Sequence, residues 1–139
     1  MTLTIGNATI LEPETRSWKR AMWRGFRRTC PNCGKGHMFR AFLKVADTCG
    51  HCGEELHHHR ADDAPPYFTM FITGHIVVPA VLIVEKLWHP PLAVHFVLWT
   101  VVTLALSFAL MPAVKGAIVG LQWALRMHGF DVAARDEVQ

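Results

Sequence analysis

Polar and apolar positions are sorted along this chain rather than mixed. From Tyr67 to Leu87 it reads YFTMFITGHIVVPAVLIVEKL, with Glu85 and Lys86 at the far end. From Val94 to Met111 it reads VHFVLWTVVTLALSFALM, without Lys, Arg, Asp or Glu. Neither run alternates with period 2 or keeps a polar face at period 3.6. Each therefore predicts a helix that is apolar all round. The first run has 21 residues and the second 18. At 1.5 Å per residue they reach about 31 Å and about 27 Å, enough for a bilayer core. Between them, residues 88–93 read WHPPLA, whose prolines stop a helix. The pattern predicts transmembrane helices at 67–87 and 94–111, joined by an external loop at 88–93. Trp88 and Trp99 fall near the outer interface, where indoles are favoured.

The flanks carry a different pattern. Trp18, Met22, Trp23 and Phe26 recur at helical spacing, with Arg16, Lys19, Arg20, Arg24, Arg27 and Arg28 between them. Residues 16–28 are expected to form a basic amphipathic helix on an anionic leaflet, with membrane lipid as partner. After Pro112, residues 117–127 read AIVGLQWALRM, too short to span, with Lys115, Gln122 and Arg126 roughly on one face. An interfacial helix is expected at 115–128, with Gly129 as its stop. Residues 1–15 and 129–139 read as tails.

Composition sharpens this picture. The chain is 51% hydrophobic and 18% charged, against about 25% charged for a soluble domain. Too few polar residues remain in 139 to wrap two such helices as a soluble core. Ten of the fourteen Lys and Arg lie in residues 1–60, and only Lys86 lies between 67 and 111. The bias toward basic flanks predicts both termini on the cytoplasmic side. No long apolar stretch follows the N-terminus, so no signal peptide is expected.

The polar front holds four cysteines, as CPNCG (Cys30, Cys33) and CGHCG (Cys49, Cys52). The spacing C-x2-C-x15-C-x2-C is a zinc-ribbon signal. Each C-x2-C turn aims two thiolates at one ion, and two turns complete a tetrahedron. Gly34 and Gly53 permit the positive φ of a tight knuckle. Residues 38–45, MFRAFLKV, are expected to supply short strands, giving a small β domain over 29–60. Disulfides fit poorly with a cytoplasmic location. A thioredoxin-like redox pair lacks the βαβ surroundings. Four protein ligands leave no open position, so the site reads as structural. Zn²⁺ is the expected ion, and iron in a rubredoxin-like site uses the same four thiolates.

These pieces resemble a family of small bacterial membrane proteins known as domain of unknown function 983. The resemblance rests on CPNCGKGHMFRAFLKV, CGHCG, HRADDAPPYFTMFITGHIVVP, the prolines near Trp88, and LMPAVKGAIVGLQW, over about residues 23–127. Asp63-Ala64-Pro65-Pro66 departs from the Asp-Gly-Pro-Ala of many relatives. The resemblance implies a hairpin in the bacterial inner membrane with a cytoplasmic zinc-ribbon-like head. In alphaproteobacteria such proteins are often encoded beside haem–copper cytochrome oxidase genes, which implies a link to that oxidase or its assembly.

Other polar residues stand where polarity is expensive. His75 sits near the middle of the first run, where an ionisable group is a functional candidate. It is read as bonding Thr103, Ser107 or a carbonyl of the second helix, with contact to a partner membrane protein or a cofactor as the alternative. Glu85, His89 and His95 could form an external metal site, or an ordinary interfacial cluster with Lys86. His57-His58-His59 reads as a solvated linker, with adventitious copper or nickel binding as the alternative. Asp62 and Asp63 are placed to cap the first long helix. Pro79 is expected to loosen that helix.

No nucleophile–base pair, phosphate loop or open metal site marks the chain as an enzyme. The expected class is a mainly α membrane protein: a two-helix transmembrane hairpin with a zinc-ribbon-like β head and amphipathic flanks. The expected function is a non-catalytic accessory or assembly protein on a larger membrane complex, with cytochrome c oxidase foremost. A membrane-tethered redox or metallochaperone protein is the alternative. A nucleic-acid partner fits the basic front less well once that front is tethered to a membrane.

Overall fold

A computed structural model describes residues 4–5, 8–9, 15–59 and 63–130 of the 139. Its elements are β1 (Thr4–Ile5), β2 (Ala8–Thr9), α1 (Trp18–Phe26), α2 (Ala64–Trp88) and α3 (Leu92–Ala124). β1 and β2 pair antiparallel, Thr4 opposite Thr9 and Ile5 opposite Ala8. A short hairpin thus stands inside the expected N-terminal tail. The rest of that tail up to residue 14 lies outside the described residues, as do Arg60, Asp62 and residues 131–139.

α2 and α3 form the hairpin, and both are long and apolar enough to cross a membrane. A core helix of a soluble protein would be mostly buried. Here only 11% of the most apolar stretch of each helix is covered by protein. α2 begins before Tyr67 because Pro65 and Pro66 suit a first helical turn, whose N–H groups need no partner. Asp63 occupies the cap position without a side-chain hydrogen bond, so the expected cap is not made. At the other end His89 turns left-handed, with φ of 47°, and its N–H bonds the Glu85 carbonyl. Pro90 and Pro91 follow and cannot continue the helix. α3 restarts at Leu92, so the connection shortens to residues 89–91.

The largest departure from the sequence expectation is at Pro112. α3 runs through it without a break, as one helix of 33 residues. No separate interfacial helix exists at 115–128. Pro112 has no N–H for the Phe108 carbonyl. The helix persists because its continuation is packed: Ala113, Val114, Gly116, Val119, Gly120, Gln122, Trp123 and Ala124 are all buried. The apolar face assigned to lipid is covered by α1 and the cysteine-bearing segment. The expected C-terminal tail also starts too early, since Phe130 is 2% exposed and packs with Ala21, Trp123 and Ala124.

α1 is shorter than 16–28 and lies against α3, not free of it. Gly25 meets Gly116 and Ala21 meets Gly120, so the two helices run antiparallel. Small residues four apart on both helices let the backbones approach closely. Beside this contact, Trp18, Met22, Trp23 and Phe26 line an open groove with Ala117 of α3, and Trp23 is 61% exposed.

The expected β domain is also corrected. Residues 29–59 contain no strand; isolated bridges join Thr29 to His37, Phe39 to Val45 and Thr48 to Glu55. The 38–45 stretch makes one bridge and a bend rather than a ladder. Met38 and Val45 are instead drawn into a core with Cys30, Cys49, Leu56 and Val119. So small a segment has too little core of its own. It borrows Val119 from α3 instead.

Candidate metal centre

The site is built from two matched turns. In the first, the Gly34 N–H bonds the Cys30 carbonyl at 2.8 Å and the Cys30 N–H bonds the Gly36 carbonyl at 2.8 Å. In the second, the Gly53 N–H bonds the Cys49 carbonyl at 2.9 Å and the Cys49 N–H bonds the Glu54 carbonyl at 2.8 Å. Gly34 and Gly53 have φ of 70° and 73°, the left-handed region where glycine carries no Cβ penalty. Both turns therefore aim a Cys pair at one point.

All four sulfur atoms lie within 4.8 Å of one another. Cys30 Sγ is 3.7 Å from Cys52 Sγ, and Cys33 Sγ is 3.9 Å from Cys49 Sγ. A tetrahedron with bonds of about 2.3 Å has edges of about 3.8 Å, so the cluster has the size of a four-thiolate ion cage. A disulfide needs about 2.05 Å, and all four cysteines are free. The four cysteines are positioned to bind a metal ion.

Backbone donors surround the sulfurs. The N–H groups of Lys35 and Gly36 point at Cys33 Sγ, at 3.4 and 3.5 Å, and that of His51 points at Cys49 Sγ at 3.5 Å. Burial pushes the Cys30 thiol strongly up, and raises Cys52 too. At Cys33 burial also pushes upward, but the Gly36 and Lys35 N–H groups and the neighbouring thiols outweigh it. They bring Cys33 down to about 6. Cys33 is thus the thiolate ready at neutral pH. Gly36 escaped the sequence reading, yet a Cβ there would strike Cys49 Sγ.

Other elements lock the cage. Arg24 on α1 donates to the carbonyls of Pro31 and Asn32 in the first knuckle. Glu54 accepts from Asn32 Nδ2 at 3.1 Å and from the Trp123 indole N–H at 2.9 Å. That one carboxylate joins both knuckles to α3. Arg16 lies 4.2 Å over the Trp123 ring and donates to the Trp123 carbonyl. On the far side, Lys115 Nζ donates to the Leu43 carbonyl at 2.9 Å, and Phe42 touches Phe108.

His75 does not reach α3. Its Nδ1 lies 2.8 Å from the Phe71 carbonyl of its own helix, and its ring sits over Phe71. A carbonyl only accepts, so Nδ1 carries the proton and Nε2 is left as an outward acceptor. Thr69 and Thr73 face α3 instead. Both are buried, and neither hydroxyl has a hydrogen-bond partner. They line a groove of about 350 Å³ with Thr103 and Ser107.

Glu85, His89 and His95 come together as a hydrogen-bonded chain. The Trp99 indole donates to His95 Nδ1 at 2.9 Å, so His95 Nε2 carries the proton that it gives to Glu85 at 2.8 Å. His89 Nδ1 stands 3.6 Å from the other Glu85 oxygen. Both ring nitrogens of His95 are therefore engaged.

The model of a family described as a protein of unknown function (DUF983) matches residues 39–123. The match takes in Cys49, Cys52 and the hairpin and starts beyond Cys30 and Cys33. No curated protein and no solved structure matches the chain.

Proposed function

This chain belongs to the DUF983 family, and we propose that it is a non-catalytic membrane accessory or assembly protein that docks on a larger membrane complex. Its two apolar helices sit in the bacterial inner membrane. The basic front and the tail lie on the cytoplasmic side, with the short 89–91 connection outside. The four-cysteine centre holds Zn²⁺ and keeps the head rigid against α3. The observation that carries docking is His75, an ionisable side chain exposed on the apolar surface of α2 with only Nδ1 engaged by its own helix. An ionisable group facing an apolar medium is costly unless it is paired. A partner helix with a donor side chain, seated against this face, would satisfy its Nε2. Haem–copper cytochrome c oxidase is the leading partner, through the family's gene neighbourhood.

The test is recovery of the protein from native membranes in mild detergent, with metal analysis of the same sample. Wild type should co-purify with a complex and carry a metal ion in its cysteine centre. His75→Phe should keep that metal and lose the complex. Wild type recovered alone, or a variant that keeps its partner, would defeat the reading.

A second reading draws on the exposure of Cys52, which opens one edge of the cage. There the centre would exchange iron electrons or pass on Cu(I). A visible spectrum separates the two readings, because a zinc thiolate centre is colourless and a ferric one is not.

A further inference from the structure

A second cluster of ligand groups lies in the head, apart from the cysteines. One ligand atom each from Glu55, His57 and His58 lies within 4.8 Å of the other two. His58 Nε2 is 3.1 Å from Glu55 Oε2. The His57 and His58 rings lie against each other, tilted by 38°, with centroids 3.9 Å apart. In an extended chain, consecutive side chains point to opposite sides. Here a turn gathers both imidazoles onto one side, next to the carboxylate.

That turn is anchored on all sides. Leu56, between the ligands, is fully buried in the head core. The N–H groups of Leu56 and His57 both bond the Asp47 carbonyl, at 2.8 and 3.2 Å. Glu55 is held by its bridge to Thr48. His59 closes the turn by donating from Nδ1 to the Leu56 carbonyl at 2.8 Å. The His58 ring stands edge-on to Phe130, itself buried beside α1 and α3. The three ligands are therefore fixed by the packed head and do not belong to a loose tract.

We propose that Glu55, His57 and His58 form a second metal site, for a borderline divalent transition ion such as Zn²⁺, Ni²⁺ or Cu²⁺. Two imidazoles and a carboxylate suit such ions, whereas thiolates favour softer ones. The ion takes the place of the His58–Glu55 hydrogen bond. Three protein ligands leave a coordination position open, unlike the closed cysteine cage. His57 is exposed and the other two are half-buried, so the site opens to solution. The inference is independent of the docking reading and of any partner.

The experiment uses the full chain in detergent, purified without a histidine tag and with its cysteine centre already loaded. It is titrated with Ni²⁺ alone by calorimetry, and with Cu²⁺ alone under electron paramagnetic resonance. Wild type should bind one further ion, and the Cu²⁺ spectrum should show coupling to two nitrogens. His57→Ala, His58→Ala and Glu55→Gln should each weaken that event by about tenfold or more. The ion in the cysteine centre should stay in place in each variant, which shows that the head remains folded. His89→Gln, at the far end of α2, should leave the event unchanged. No further ion in wild type, unchanged binding in the three variants, or equal weakening by His89→Gln would overturn the proposal. The last result would mark adventitious binding by exposed histidines.

Discussion

Gly25 and Gly116 meet backbone to backbone: a Cβ on either would overlap the carbonyl oxygen of the other. No side chain can yield there. Gly25→Ala or Gly116→Ala should therefore force α1 away from α3 and destabilise the docked head by about 1–3 kcal/mol. Chemical denaturation in detergent, read through Trp123 fluorescence, measures the loss. Gly74→Ala is the control, because a Cβ there meets nothing within 4 Å.

Cys30→Ser should abolish stoichiometric metal binding at the cysteine centre and unfold residues 29–59. The sulfur is buried, within 3.7 Å of Cys52, and cannot be replaced by a neighbour. α2 and α3 should keep their helicity, so far-UV circular dichroism changes little. Near-UV signals from Trp123 should collapse as Glu54 is released. Removing the metal from wild type with a strong chelator should give the same pair of spectra.

Glu54 and Trp123 can be tested as a pair. Trp123→Phe and Glu54→Gln should each destabilise the head. The double-mutant cycle should return a coupling of about 1–2 kcal/mol, as for a hydrogen bond to a charged acceptor. A coupling near zero would mean that Glu54 serves Asn32 alone.

Metal affinity should rise with pH across the neutral range. Cys30 and Cys52 hold their protons more tightly than an ordinary thiol and must release them to the ion. Cys33 is already ionised there, with its proton lost at about 6. Below that pH Cys33 also protonates, so the fall in affinity should steepen. Competition against a chelator of known pH dependence, between about pH 5 and pH 8, follows the slope. For the metal-free head, the lowered Cys33 value adds stability that is complete above the ordinary thiol range and is lost as pH falls through about 6.

The hairpin could be read from the sequence because its causes are local. Apolar runs set the helices, and Pro90 and Pro91 set the turn. The cysteine cage was equally legible, since C-x2-C-Gly fixes each knuckle within a few residues. The docking of the head was not. It depends on Ala21 and Gly25 meeting Gly120 and Gly116, residues far apart in the chain. The small-xxx-small spacing was present on both sides, but nothing local says that one answers the other. Pro112 misled for the same reason. A proline ends a helix by default, and only the packing of Val119 and Trp123 overrides it. His75 turned to its own helix because the Phe71 carbonyl is one turn away and always in reach.

The unbroken course of α3 has a mechanical consequence. At 33 residues it is about 50 Å long, and its far end is gripped by the metal-bearing head. A change in helix tilt of about 10° would swing that end by about 9 Å. Local bilayer thickness, or a neighbour leaning on the outer end, would then be transmitted through a rigid lever to the cytoplasmic side.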